Sequence, residues 1–290
     1  MKKLLVIICS LLSLIVLSSC SKWLTLDEKS YTVDSSCENI IIEEEVMNVT
    51  VKKDSSISEI QVSYYEKEGT YFLVHEYSNV TKTYKVHRDQ TNKKMYYNFS
   101  PNYETLVIVP ESFNGIVTVK LSVGNIQIED IKSTTLSATS STGNISISSL
   151  DAEEVNIKSS TGNIKINHLS CSDIEIKSSV GNISMLNSTI EDELKIDTSV
   201  GDATCNNVKA AKMNAKGAAG NFKFENLNIT TYLDAKTSTG NITIKLTGNK
   251  DNYRTTLVSE IGNVSGDTTG GDISISAHTE TGNIKVTYGE

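Results

Sequence analysis

Acidic side chains are the residues of this chain that come nearest to doing chemistry. Asp130, Asp151, Glu153, Glu154, Asp173, Glu191, Asp192 and Glu193 recur between apolar runs. Paired carboxylates in a groove, helped by Arg, Lys or a bound cation, can cleave a polysaccharide. Along the sequence these residues drift in register, which fits a solvated edge better than an aligned pair. His75, His87, His168 and His278 lie far apart, with no H-E-x-x-H among them. There is no Gly-x-Ser-x-Gly elbow and no phosphate loop. The calcium-binding Gly-Gly-x-Gly-x-Asp repeat is represented only by the fragment Gly270-Gly271-Asp272. The expectation is a non-enzymatic chain with no catalytic residues, no metal and no cofactor.

Lysine offers a second chemistry, the attraction of anions. Lys158, Lys177, Lys216 and Lys236 stand at equivalent positions of a repeat, with Asp197 between them. Lys158, Lys177 and Lys236 are the candidate polymer-binding residues of a shallow cationic strip. Glu175, two residues before Lys177 on the same side, offers local pairing as the plainer alternative. The tyrosines within 64–103 could form a carbohydrate or protein contact surface, or equally the core of a cap. A formal net charge of −8 and a pI near 5.2 argue against a nucleic-acid partner. Arg88 and Arg254 are the only arginines, so no multi-arginine clamp for phosphate or carboxylate can be assembled.

The elements that must carry these side chains come from one repeat. Its turn reads Gly124-Asn125-Ile126, Gly143-Asn144-Ile145, Gly162-Asn163-Ile164 and Gly181-Asn182-Ile183, then Gly201-Asp202-Ala203 and Gly220-Asn221-Phe222. Gly240-Asn241-Ile242, Gly262-Asn263-Val264 and Gly282-Asn283-Ile284 complete it, with glycines 19, 19, 19, 20, 19, 20, 22 and 20 residues apart. Between turns, Ile145 and Ile147, Leu150, then Val155 and Ile157 alternate with polar residues, predicting two short strands per unit with one apolar face. A small or hydroxyl-bearing inward residue precedes each turn: Ser140, Ser159, Ser178, Thr198, Gly217, Thr237, Ser259 and Thr279. The spacing predicts an all-β parallel β-helix, a β-solenoid of 19–22-residue coils. Gly and Asn suit its corner because both tolerate left-handed backbone, and stacked Asn side chains can form a hydrogen-bonded ladder. Asp202 is expected to interrupt that ladder. The irregular 40–123 region is expected to cap the first end, with a projecting hairpin near 64–100.

Lys2 and Lys3 followed by an apolar run from Leu4 to Leu17 read as a secretion signal, too short to span a bilayer comfortably. Its end, Leu17-Ser18-Ser19-Cys20, resembles the bacterial lipobox, which implies lipidation of Cys20 and a double acyl anchor. Cys37, Cys171 and Cys205 match no metal or redox spacing, and Cys205 falls in an aliphatic column as a small buried residue.

Ser122-Val123-Gly124-Asn125-Ile126, Ser141-Thr142-Gly143-Asn144-Ile145 and their successors resemble the tandem units of a widespread bacterial family of unknown function, the adhesin-like family. Val49-Thr50-Val51-Lys52 and Val107-Ile108-Val109-Pro110 are similar to its opening segment, and the likeness spans roughly residues 38–290. The resemblance implies a β-helical fold in the cell envelope and brings no catalytic residues. The expected organisation is a lipoprotein signal peptide at 1–20, a tether at 21–39 and a solenoid domain at 40–290, divided into capping coils (40–123) and regular repeats (124–290). The expected function is a rigid, lipid-anchored surface on the extracytoplasmic face of the membrane, for adhesion or contact with an envelope polymer or surface protein. Alternative readings are an accessory role in envelope-stress signalling and a polysaccharide-acting enzyme.

Overall fold

Runs of alternating aliphatic and polar residues begin early in the chain and give strands at once. The computed structural model describes residues 25–67, 71–89 and 103–289. The signal segment and Cys20 lie outside these residues. The first elements are β1 (Asp27–Val33), β2 (Asn39–Glu44), β3 (Asn48–Lys53), β4 (Ile60–Glu66), β5 (Leu73–Ser78), β6 (Thr83–Arg88), β7 (Glu104–Val109) and β8 (Ile116–Val123). β1 pairs antiparallel with β4, which corrects the tether expected at 21–39. Its segment is held because Leu26, Val33 and Cys37 enter the core, and the Leu26 amide donates to the Tyr103 hydroxyl at 3.1 Å.

A hairpin does form within the expected window, but it does not project. β5 and β6 are its antiparallel arms, and β6 lies flat as a parallel neighbour of β2. Tyr71 and Tyr84 are fully buried. The His75 ring stacks on Tyr31 at 5.0 Å and tilts against Tyr64 at 4.2 Å, with Nδ1 2.7 Å from the Tyr84 hydroxyl. Burial pulls the His75 pKa down to about 4, so the ring is neutral at physiological pH. Among the described residues Tyr64, Tyr71 and Tyr84 belong to the cap core, and Tyr65, Tyr77 and Tyr103 pack half-buried against it; Tyr96 and Tyr97 lie outside the described residues. Beside them the buried Glu44 carboxylate accepts hydrogen bonds from the Tyr71 hydroxyl at 2.6 Å and the Thr105 hydroxyl at 2.8 Å. Desolvation raises its pKa above the ordinary carboxylate range. Arg88 pairs with Glu45 and lays its guanidinium 5.3 Å from the Tyr71 ring centroid.

The regular coils are β9 (Ile126–Thr142), β10 (Ile145–Thr161), β11 (Ile164–Val180), β12 (Ile183–Val200), β13 (Ala203–Ala219) and β14 (Phe222–Thr239). Each pairs in parallel with the next. The two short strands expected per unit are one long strand, bent at a single left-handed residue: Asp130, Ser149, His168, Asn187, Asn207 or Asn226, with φ between 48° and 59°. Asn and Asp visit this region readily because their short side chains hydrogen-bond locally. Stacking sets like on like. Ile145, Ile164, Ile183, Ala203, Phe222 and Ile242 form one row, and Ile147, Ile166, Met185, Cys205, Phe224 and Ile244 the next. All are buried, and each large member contributes roughly 1.5–3 kcal/mol. The small residues of β13 make room for Phe222 and Phe224, whose rings stack at 5.7 Å. Cys205 is fully buried, and desolvation pushes its thiol up to about 12.

The chain closes with β15 (Ile242–Asn249), a 3-10 turn (Lys250–Asn252), β16 (Tyr253–Ile261), β17 (Val264–Ser265), β18 (Ile273–Thr281) and β19 (Ile284–Gly289). Here the levels depart from sequence order. β18 lies between β14 and β16, and β19 between β15 and β17. The spatial order of the corners is therefore Gly240, Gly282, Gly262. A mirror of this arrangement occurs at the other end, where β2 lies between β6 and β8, and β3 between β7 and β9. Strict stacking in chain order, expected from the repeat, holds from Gly124 to Gly240 and fails at the last two corners. Among the described residues no helix is long and apolar enough to cross a membrane.

Candidate contact surface

The corner residues meet as a single column. A Cβ on Gly143 would lie 2.0 Å from the Gly124 carbonyl oxygen, and one on Gly162 would lie 2.0 Å from that of Gly143. Only glycine lets the coils approach this closely. Behind the column, hydroxyls of the inward row close on the same carbonyls: Ser140 donates to Gly124 at 3.1 Å, Thr279 to Gly240 at 3.0 Å and Ser259 to Gly282 at 2.7 Å.

The asparagine ladder exists, with a different bond from the one expected. Each side-chain Oδ1 accepts the backbone amide of the corner residue one level on, at 2.7–2.9 Å. The acceptors run Asn48, Asn125, Asn144, Asn163, Asn182, Asp202, Asn221, Asn241 and Asn283, and Asn263 is the last donor. An acceptor is all the ladder requires. Asp202 therefore continues it, taking the Asn221 amide at 2.7 Å and the Asn221 Nδ2 at 3.1 Å. Asn48, which has no preceding glycine, was missed; its signal is the strand run Val49-Thr50-Val51 behind it. Asp202→Asn should shift stability by less than about 0.5 kcal/mol. Asn163→Ala orphans the Asn182 amide and should cost about 1 kcal/mol, read as urea midpoints. Equal effects of the two would contradict the acceptor ladder.

On the outward face, Lys120, Thr139, Lys158, Lys177, Asp197, Lys216, Lys236 and His278 share one column, its members about 4.8 Å apart. Lys177 pairs with Glu175 and Lys236 with Asp234, both at 2.7 Å. Lys120 pairs with Glu43 at 3.3 Å. Lys158 and Lys216 stand in no ion pair with a described residue. Of the three lysines expected to form the strip, two are thus held locally, and Lys216 joins Lys158 as a lysine outside any ion pair, with Asp197 as its column neighbour. A shallow trough of about 290 Å³ runs past Lys158, Lys177, Asp197, Ser160 and Ser179.

Three of the eight acids are in register, while Asp130, Asp151, Glu153, Glu191 and Asp192 fall outside any acidic column. Glu154, Asp173 and Glu193 occupy one column on consecutive levels, continued by Lys212. With Glu153, Asn156, Glu175 and Lys195 they line a trough of about 690 Å³. Glu193 is held below the usual carboxylate range, first by Lys195 and then by Asn214 and Tyr232, against the opposing effect of burial. Lys212 binds Asp192 at 2.7 Å. Among the described residues no three metal-ligating side chains converge on one point. His75 sits in the cap, while His168 and His278 lie on separate coils.

A corner of Gly and an acceptor side chain, stacked over coils of about 20 residues and about eight turns, defines a parallel β-solenoid. The family model described as Toastrack DUF4097 matches residues 37–287, and the chain belongs to that family. Among solved structures, a candidate adhesin from Parabacteroides distasonis ATCC 8503 is 11% identical, with 90% of this chain and 97% of that one covered at a TM-score of 0.51. A candidate adhesin from Bacteroides fragilis NCTC 9343 is 16% identical over 90% and 97% of the chains, at 0.43. A candidate lipid binding protein from Parabacteroides distasonis ATCC 8503 is 15% identical over 89% and 96%, at 0.47. At such identity the first likeness bears on fold alone. No curated protein matches the chain.

Proposed function

We propose that this chain is a non-enzymatic envelope lipoprotein, anchored through Cys20, whose solenoid presents a rigid cationic column to an anionic envelope polymer. The reading is supported chiefly by the in-register column, in which Lys158 and Lys216 stand outside any ion pair with a described residue at fixed positions on an acidic chain. Backbone positions fixed by stacking need no ordering when the column meets a linear polyanion, so only side-chain rotamers are lost on contact. The acidic trough lies on the same outward side, four residues before the lysine column, and repels the same polymer.

Reversing Lys158 and Lys216 to Glu should weaken co-sedimentation with isolated anionic wall polymer by about 1 kcal/mol, roughly fivefold. The loss should shrink as salt is raised. Glu175→Gln with Asp234→Asn should strengthen binding, because it frees Lys177 and Lys236 from their ion pairs. Unchanged binding in the first pair would sink the polymer reading. In the same cells Cys20→Ala should leave an unprocessed precursor or release the protein from membranes, and normal processing and retention would remove the anchor.

A further inference from the structure

The C-terminal unit occupies a slot. Ile275 lies between Leu233 and Thr255, Ala277 between Ala235 and Leu257, and Ile284 between Ile242 and Val264. β18 and β19 are thus hydrogen-bonded along both edges, one wall being β14 with β15 and the other β16 with β17. Among the described strands β16 pairs only with β18 and β17 only with β19. The outer wall therefore stands only while the slot is filled.

What returns the chain to this slot is one short crossing, Gly266 to Asp272. It forms no strand, and Gly266 and Gly271 hold left-handed backbone at φ 100° and 78°. The Gly271 backbone passes so close to Asn252 that an added Cβ would lie 2.2 Å from its carbonyl carbon. The crossing is tied down at Thr268, which accepts the Thr255 amide at 3.0 Å and donates its own amide to the Thr255 hydroxyl at 2.8 Å. Beside it the end level is bare. The inward residues Leu257 and Val264 are only half-buried, although their register partners Ala277 and Ile284 are buried.

We propose that β18–β19 is an exchangeable unit, and that two copies of this chain join by trading it. A second copy's unit would find the same rows and the same hydrogen bonds in the slot. The tight return at Gly266 and Gly271 would open into an extended link. That link, seven residues long, spans at most about 25 Å, so the two bare ends must come face to face. Leu257 and Val264 then cover their counterparts. Traded identical elements are a low-cost route to a dimer, and the half-buried inward residues Leu257 and Val264 of the end level give this one a driving force.

Thr239 and Thr281 are exposed register partners on adjacent levels, within the Cα separation a disulfide bridges. One full-length chain carrying Thr239→Cys is mixed at high concentration with another carrying Thr281→Cys, then oxidised. The double variant in one chain calibrates the geometry. Trading predicts a disulfide-linked pair of chains, and removal of Thr268, Thr269 and Gly270 should raise its yield and double the molar mass. If neither the native-length nor the shortened crossing yields the linked pair while the double variant closes within one chain, the proposal is overturned. Should the shortened chain fail to fold, the native-length mixture decides alone.

Discussion

Gly162→Ala should cost about 3–5 kcal/mol, a large loss for one added methyl group. The corner glycine holds φ at 143°, a conformation side chains rarely adopt, and that strain alone costs roughly 1–3 kcal/mol. The methyl would also stand 2.0 Å from the Gly143 oxygen and 2.6 Å from its carbonyl carbon. Backbone cannot yield as a side-chain tip does, so the two coils must part. Parting them strains the hydrogen bonds that the Gly143 amide donates to the Thr161 carbonyl at 2.9 Å and the Ile145 amide to the Asn163 carbonyl at 3.0 Å. Because each coil touches only its neighbours, the break should divide one cooperative unfolding transition into two. Gly270→Ala is the control: its nearest neighbour is the Asp251 oxygen at 3.7 Å, and the change should stay within about 0.5 kcal/mol. Similar urea midpoints for the two variants would show that the corner does not depend on close approach.

Gly217→Thr should destabilise by about 2–3 kcal/mol, and Phe222→Ile in the same chain should restore most of that loss. Position 217 belongs to the inward row that holds Thr198 on one side and Thr237 on the other. Threonine is thus the residue its neighbours would suggest. It is glycine because the Phe222 ring fills the space, with Cζ 2.9 Å and Cε1 3.2 Å from where a Cβ would be. Isoleucine, which occupies the Phe222 row at 183 and 242, lacks the ring and would vacate it. The two changes share one volume and should couple by roughly 2 kcal/mol in a double-mutant cycle. Additive effects would show that the ring and the glycine are not exchanging space.

Coil length, handed-down aliphatic rows and the corner column were all readable from the spacing of Gly-Asn-Ile. A period repeated so often leaves one way to bury the apolar side. The level order at the end was not readable in this way, because Gly262-Asn263 and Gly282-Asn283 carry the same corner chemistry in either order. The clue was the 22-residue interval before Gly262, which supplies the extra chain that β15 needs to pass over a level. The alignment of Glu154, Asp173 and Glu193 was also available. Their separations of 19 and 20 match those of Gly162, Gly181 and Gly201, but the run Glu191-Asp192-Glu193 hides which member is in register. The second corner was hidden for a chemical reason: Asp, Ser, His and Asn share only a polar side chain near the backbone, and no single residue type marks the bend. The cap resisted because β1 and β5 are antiparallel, and a strand's direction leaves no trace in its alternation.

The placement of β2 and β3 between later coils determines how the molecule meets a pull on its N-terminus. Tension entering at Asp27 first reaches β1, an edge strand in antiparallel register with β4, which can peel one bond pair at a time at low force. The next strands cannot peel. β2 is bonded to β6 and β8, and β3 to β7 and β9, so both must slide out lengthwise with whole rows of bonds loaded together. The fold gives a few nanometres of compliant leader and then a clamp, which keeps the outward columns in register while their support is dragged.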